Sequence, residues 1–72
     1  MPFDYSKLLG RIKEKGFTQG TLAKHIGIAE SSMCVKLNNK ADFRHGEIFL
    51  ICEALDIAIS EIGVYFFTPK VR

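Results

Sequence analysis

Apolar residues recur at helical spacing along nearly the whole chain. Tyr5, Leu8, Leu9 and Ile12 fall at i, i+3, i+4 and i+7, while Lys7, Arg11, Lys13, Glu14 and Lys15 fall elsewhere. Phe3-Asp4 opens this first helix: Asp4 can accept from its free N–H groups, and Phe3 can staple against Leu8. Gly16 ends it in the left-handed conformation. Leu22, Ala23 and Ile26 give a second stripe, and Met33 and Leu37 a third. Gly27-Ile28-Ala29 between them leaves room only for a tight turn, and Gly27 can take the positive φ of a bend. A fourth pattern, from His45 or Gly46 to Leu55, turns Ile48, Ile51, Cys52 and Leu55 inward, with Phe49 on the flank and Leu50 facing away. Ser60 is a candidate cap for a short fifth helix in which Ile62 meets the core. The expected fold class is therefore all-α, a compact five-helix bundle. Residues 1–72 form one domain, with a two-helix unit over 18–38 and an apolar tail over 64–72.

Several local choices qualify this pattern. Thr18 can cap the second helix, but Gly20 inside it costs ~1 kcal/mol relative to alanine. Thr21 stands where a glutamate or glutamine would complete a capping box. Ala29 brings no side-chain acceptor to the start of the third helix, and Asn39 occupies its left-handed end. In the loop Ala41–His45, Phe43 is expected to tuck beneath the chain. Val64-Tyr65-Phe66-Phe67 precedes Thr68-Pro69, which closes off further helix. A terminal segment cannot easily bury four bulky neighbours in so small a core. Some should cover the base of the bundle and the rest form an exposed patch, the mark of a partner surface. Which of the three rings faces out is left open.

Composition narrows the function classes. At 72 residues, 47% of them apolar, the chain suits one core and not a disordered segment. Cys34 and Cys52 fall within helical patterns and are expected to be reduced, and with two scattered histidines they make no zinc site. No apolar run is long enough to cross a bilayer. No signal peptide, phosphate loop, carboxylate pair or nucleophile–base pairing stands out, so neither an enzyme nor a small-molecule substrate, cofactor or metal is expected. The net charge of +2 is unevenly placed. Residues 1–40 hold seven Lys/Arg against three Asp/Glu, and residues 41–72 hold three against five. The basic half contains the two-helix unit, as a surface facing DNA would require.

Thr18-Gln19, Leu22-Ala23, Ile26-Gly27-Ile28, Ser31, Met33 and Asn38-x-Lys40 resemble the helix-turn-helix of the phage Cro and repressor family of DNA-binding regulators. The likeness extends more weakly from Asp4 to about Ile62, and the layout is most similar to small Cro-type regulators of temperate phages of Gram-positive bacteria. It implies a lambda-repressor-like bundle, cytoplasmic in a bacterial host, whose helix 30–38 reads operator DNA. By this resemblance Thr18, Gln19, Glu30, Ser31, Ser32, Val35, Lys36, Asn38 and Lys40 are the DNA-binding candidates, with Arg11 and Lys15 able to reach phosphate from helix one. Serines discriminate bases weakly, Val35 can pack on a thymine methyl, and Glu30 can accept from a cytosine amino group. A homodimer through helix five and the tail would set two such helices ~34 Å apart.

The sequence departs from that family where it matters. Helix three presents a carboxylate, two hydroxyls, a valine and one lysine outward, so it adds no net charge toward a polyanion. An alternative of another class follows: an anti-repressor or modulator of repression that docks on the phage repressor protein and masks or alters its DNA-binding surface. Its partner-binding candidates are Ser31, Val35, Leu50, Tyr65, Phe66 and Phe67.

Overall fold

A computed structural model describes residues 2–70; the last two residues of the apolar tail, Val71 and Arg72, lie outside them. The elements are α1 (Ser6–Glu14), α2 (Gln19–Ile26), α3 (Glu30–Leu37), α4 (His45–Leu55), a 3-10 turn (Ile59–Glu61) and α5 (Ile62–Phe66). Among the described residues there is no β-strand, only one antiparallel bridge between Phe3 and Pro69. The all-α five-helix fold expected from the stripes is the one observed.

Each stripe finds its place. Leu8 and Ile12 of α1, Leu22, Ala23 and Ile26 of α2, Met33 and Leu37 of α3, and Ile48, Ile51, Cys52 and Leu55 of α4 share one core, joined by Tyr5, Ile57 and Phe66. α2 packs against both α3 and α4, and α1 against α5. Leu9 is the exception. It is exposed, because the face of α1 in contact with the core is narrower than the stripe of four.

The first four helices all end through a residue in the left-handed region, which turns free carbonyls back onto following N–H groups. Gly16 (φ 82°), Gly27 (φ 86°), Asn39 (φ 63°) and Asp56 (φ 54°) hold these positions. The next residue's N–H then reaches back five positions: Phe17 to Ile12, Ile28 to Ala23, Lys40 to Val35 and Ile57 to Cys52. Phe17, Ile28 and Ile57 are apolar and pack on the core, so each turn is fixed by both bonding and burial. Asn and Asp tolerate this region better than other non-glycine residues.

Helix starts differ more from expectation. α1 begins at Ser6 with Tyr5 as its cap residue, so Phe3 and Asp4 lie outside it. Asp4 Oδ1 still accepts from the Ser6 N–H at 2.9 Å, and that bond holds the Asp4 carboxyl below its ordinary pKa. At α2 the capping box closes after all. Thr18 Oγ1 accepts from the Thr21 N–H, and Thr21 Oγ1 accepts from the Thr18 N–H at 2.7 Å. A threonine at this position thus does the work expected of glutamate. Ser60 lies inside the 3-10 turn and caps nothing.

Segments 2–4 and 68–70 are clasped together. The Asp4 N–H donates to Thr68 O at 2.7 Å and the Lys70 N–H to Pro2 O at 3.1 Å. Asn39, at the end of α3, ties on the same segment: its Oδ1 accepts from the Phe3 N–H at 2.8 Å, and its Nδ2 donates to Phe3 O at 2.9 Å. The Phe3 ring stands edge-on to Phe67, and Tyr5, Phe43 and Phe66 continue the run of edge-to-face contacts beneath.

Candidate interaction surface

α3 presents its outer face to solvent while Met33 and Leu37 are buried beneath it. Ser31 and Val35 are exposed and Ser32 is half-buried. The lysine on this helix, one of the DNA-binding candidates, is not a free cation. Lys36 Nζ pairs with Glu47 Oε1 of α4, and the two side chains are only 12% and 13% exposed. The same oxygen accepts from the Arg44 N–H at 2.9 Å, at the start of α4. Burial pushes the Glu47 pKa up. The Arg44 N–H, the Lys36 hydrogen bond and the charges of Lys36 and Arg44 outweigh it, so the carboxyl titrates below its usual range. Reaching a phosphate would take Lys36 from a largely desolvated partner, and stranding such a carboxylate is expensive.

Other candidates from the DNA reading are similarly engaged. The Asn38 amide donates to Cys34 O at 2.8 Å and to its Sγ at 3.3 Å, so it faces its own helix and not outward. Thr18 is committed to its capping box. The Glu30 carboxylate is folded against the first turn of α2, where a Cβ on Gly20 would stand 3.0 Å from its Cδ and Oε1. Gly20 therefore makes room for a side chain, and a carboxylate there meets the positive end of α2. Gln19 is half-buried beside it, and Lys40 is exposed. Arg11 and Lys15 are turned to the C-terminal end of α4: Arg11 Nε donates to Leu55 O at 2.9 Å and Nη2 to Asp56 O at 3.1 Å, while Lys15 pairs with Asp56 at 3.1 Å. There Arg11 satisfies free carbonyls, and both cations meet the negative end of the helix dipole.

Among the apolar candidates, Val35 and Leu50 are exposed, Phe67 is half-exposed and Tyr65 is half-buried. Phe66 is 1% exposed, with its ring 5.5 Å from Phe43, and is removed from the partner surface. In a five-residue helix, which ring turns inward is set by docking onto α1 and not by any readable period. The two most exposed large apolar residues are others: Ile59 at 69% and Phe49 at 58%. With Leu50, Cys52, Glu53 and Ile57 they line an open groove of about 280 Å³ beside α4. A signal for it existed in the four-residue run Ile48–Ile51, which is apolar on every side of its helix.

Cys34 is exposed, Cys52 is buried, and both are free. Burial pushes the Cys52 thiol pKa up, which keeps it protonated. Among the described residues no cluster of three His, Cys, Asp or Glu side chains could hold a metal ion, and no helix is long and apolar enough to cross a membrane.

Comparison with known proteins places this surface in context. Residues 1–69 match the family described as "Protein of unknown function (DUF739)". Among solved structures, the chain is similar to the modulator of repression (MOR) of the temperate bacteriophage TP901-1 from Lactococcus lactis, determined in solution. The two are 39% identical, the match covers 100% of this chain and 97% of the other, and the TM-score is 0.80. No curated protein sequence matches.

Proposed function

The chain belongs to the DUF739 family, and from that premise we propose that it is a modulator of repression in a temperate phage, acting by binding the phage repressor. Docking masks or alters the repressor's DNA-binding surface and so shifts the choice between lytic and lysogenic growth. The observation that carries this reading is the full-length likeness to a phage modulator of repression, at 39% identity and a TM-score of 0.80.

The charge arrangement supports it. An operator binder needs cations free to displace the counterions of the phosphate backbone. Here Lys36 is tied to Glu47, and Arg11 and Lys15 to the end of α4, which leaves Lys24 and Lys40 as the exposed lysines without an ion pair within residues 18–40. What α3 offers outward is Ser31 and Val35, a small, weakly charged surface suited to protein contact, with Leu50 exposed on α4. Purified chain and purified repressor should form a stable complex, and Val35→Asp should abolish co-purification. Retained co-purification removes α3 from the interface, and no complex with wild type rejects the function. Direct operator binding, the competing reading, requires a salt-sensitive mobility shift of operator fragments by this chain alone.

A further inference from the structure

From His45 to Pro69 the chain has no lysine or arginine, whereas Glu47, Glu53, Asp56 and Glu61 all fall there. Two of these carboxylates are matched by cations from other helices, Glu47 by Lys36 and Asp56 by Lys15. Glu53 and Glu61 have no salt-bridge partner among the described residues. Glu53 forms one side of the groove beside α4, and Glu61 stands on the same 3-10 turn as Ile59. The floor is apolar, made by buried Cys52 and Ile57, and the rim carries Phe49, Leu50 and Ile59, all exposed. At about 280 Å³ and open to solvent, the groove falls just below the ~300–1,000 Å³ of pockets that enclose small ligands. It suits an anchoring side chain from another protein.

We infer that this groove is where the chain grips its repressor, and that its occupant is an amphipathic helix with a large apolar anchor flanked by Lys or Arg. The inference rests on the repressor-binding reading above and adds to the exposed Ser31 and Val35 of α3 a second contact with the same partner. The apolar floor takes the anchor, while the uncompensated Glu53 on its side takes a flanking cation. A repressor carries such cations because any protein that holds DNA must display them. A second copy of this chain fits poorly, since a two-fold contact would set the same unmatched carboxylates against each other. Electrostatic complementarity of this kind speeds encounter and rejects wrong partners.

The test uses the full chain and the purified cognate repressor, with binding measured at low and high salt. Wild type should bind, more weakly as salt rises. Ile59→Asp should weaken binding about tenfold or more, as loss of an interface anchor does. Glu53→Lys should weaken it and flatten the salt dependence. Both positions are exposed, so both variants should keep the wild-type circular dichroism spectrum and melting curve; Ile59→Ala serves as a second, milder probe. If wild type binds and all three variants bind equally well, the groove is refuted and the function stands. If wild type does not bind, the function falls and the groove assignment with it. A wild-type dimer in sedimentation that Ile59→Asp converts to monomer would also overturn the proposal, by giving the groove to a second copy.

Discussion

Asn39 performs two tasks that substitution can separate. Its backbone takes the left-handed turn that ends α3, and its side-chain amide makes two hydrogen bonds, 2.8 and 2.9 Å, to the Phe3 backbone. Asn39→Gly keeps the turn and removes the amide. Each lost hydrogen bond is worth about 0.5–1.5 kcal/mol net, and both lie near solvent. Relief of the left-handed strain offsets the extra freedom that glycine has in the unfolded chain. The expected loss is therefore about 1–2 kcal/mol. Asn39→Ala removes the amide and also places a Cβ in the left-handed region, adding about 1 kcal/mol. For a domain of this size each kcal/mol lowers the melting temperature by about 4–8 °C. Total stability for such a chain is on the order of 4–11 kcal/mol, so the effect is readily measured. Urea and thermal melts should rank wild type above Asn39→Gly above Asn39→Ala. Hydrogen exchange should quicken at the Phe3, Asp4 and Lys70 amides in both variants. If Asn39→Gly is as stable as wild type, the amide contributes nothing, and aromatic packing alone joins the ends.

Other outcomes follow from the same structure. Phe66→Ala should cost about 3–5 kcal/mol, since it empties a fully buried ring site, while Phe67→Ala should cost less than about 1.5; equal losses in urea melts would contradict the burial assignment. Glu47→Gln should destabilise the fold by about 1–3 kcal/mol near neutral pH by leaving Lys36 unmatched. Because the Glu47 pKa is lowered on folding, its contribution is complete above the ordinary value of 4.5 and fades as pH falls through the folded value, so wild type and variant should converge in acid. A constant difference down to pH 2 would exclude the ion pair as the cause. Gly20→Ala should stabilise α2 by about 0.5–1 kcal/mol, because the Glu30 carboxylate in its way is exposed and can swing aside; destabilisation would mean that its seat over α2 is held firmly.

What was legible in the sequence was whatever repeats within one helix. The inward stripes of α2, α3 and α4 follow from spacing alone, and so do the left-handed ends at Gly16, Gly27 and Asn39. The left-handed end at Asp56 is harder to read, because aspartate adopts that conformation less often, although it follows the last inward residue, Leu55. What escaped depends on a partner distant in the chain. Lys36 reads as an outward cation until Glu47, eleven residues on, is folded beside it. Arg11 reads as a phosphate contact until the end of α4 arrives over it, more than forty residues later. The aromatic run Tyr65–Phe67 has no period to decide which ring is inside, and docking on α1 chooses Phe66. The groove beside α4 depends in the same way on the 3-10 turn folding back toward Phe49 and Leu50.

The meeting of Pro2 with Lys70 means that the order in which the helices are written is nearly arbitrary. A short flexible tether across that seam, with a new opening at the exposed Ala41-Asp42 stretch, would keep every helix intact and turn the loop before α4 into the two ends. The same geometry brings chain added before Pro2 or after Lys70 away from one place, beside Phe3 and Asn39, so an addition that disturbs the clasp from one side disturbs it from the other.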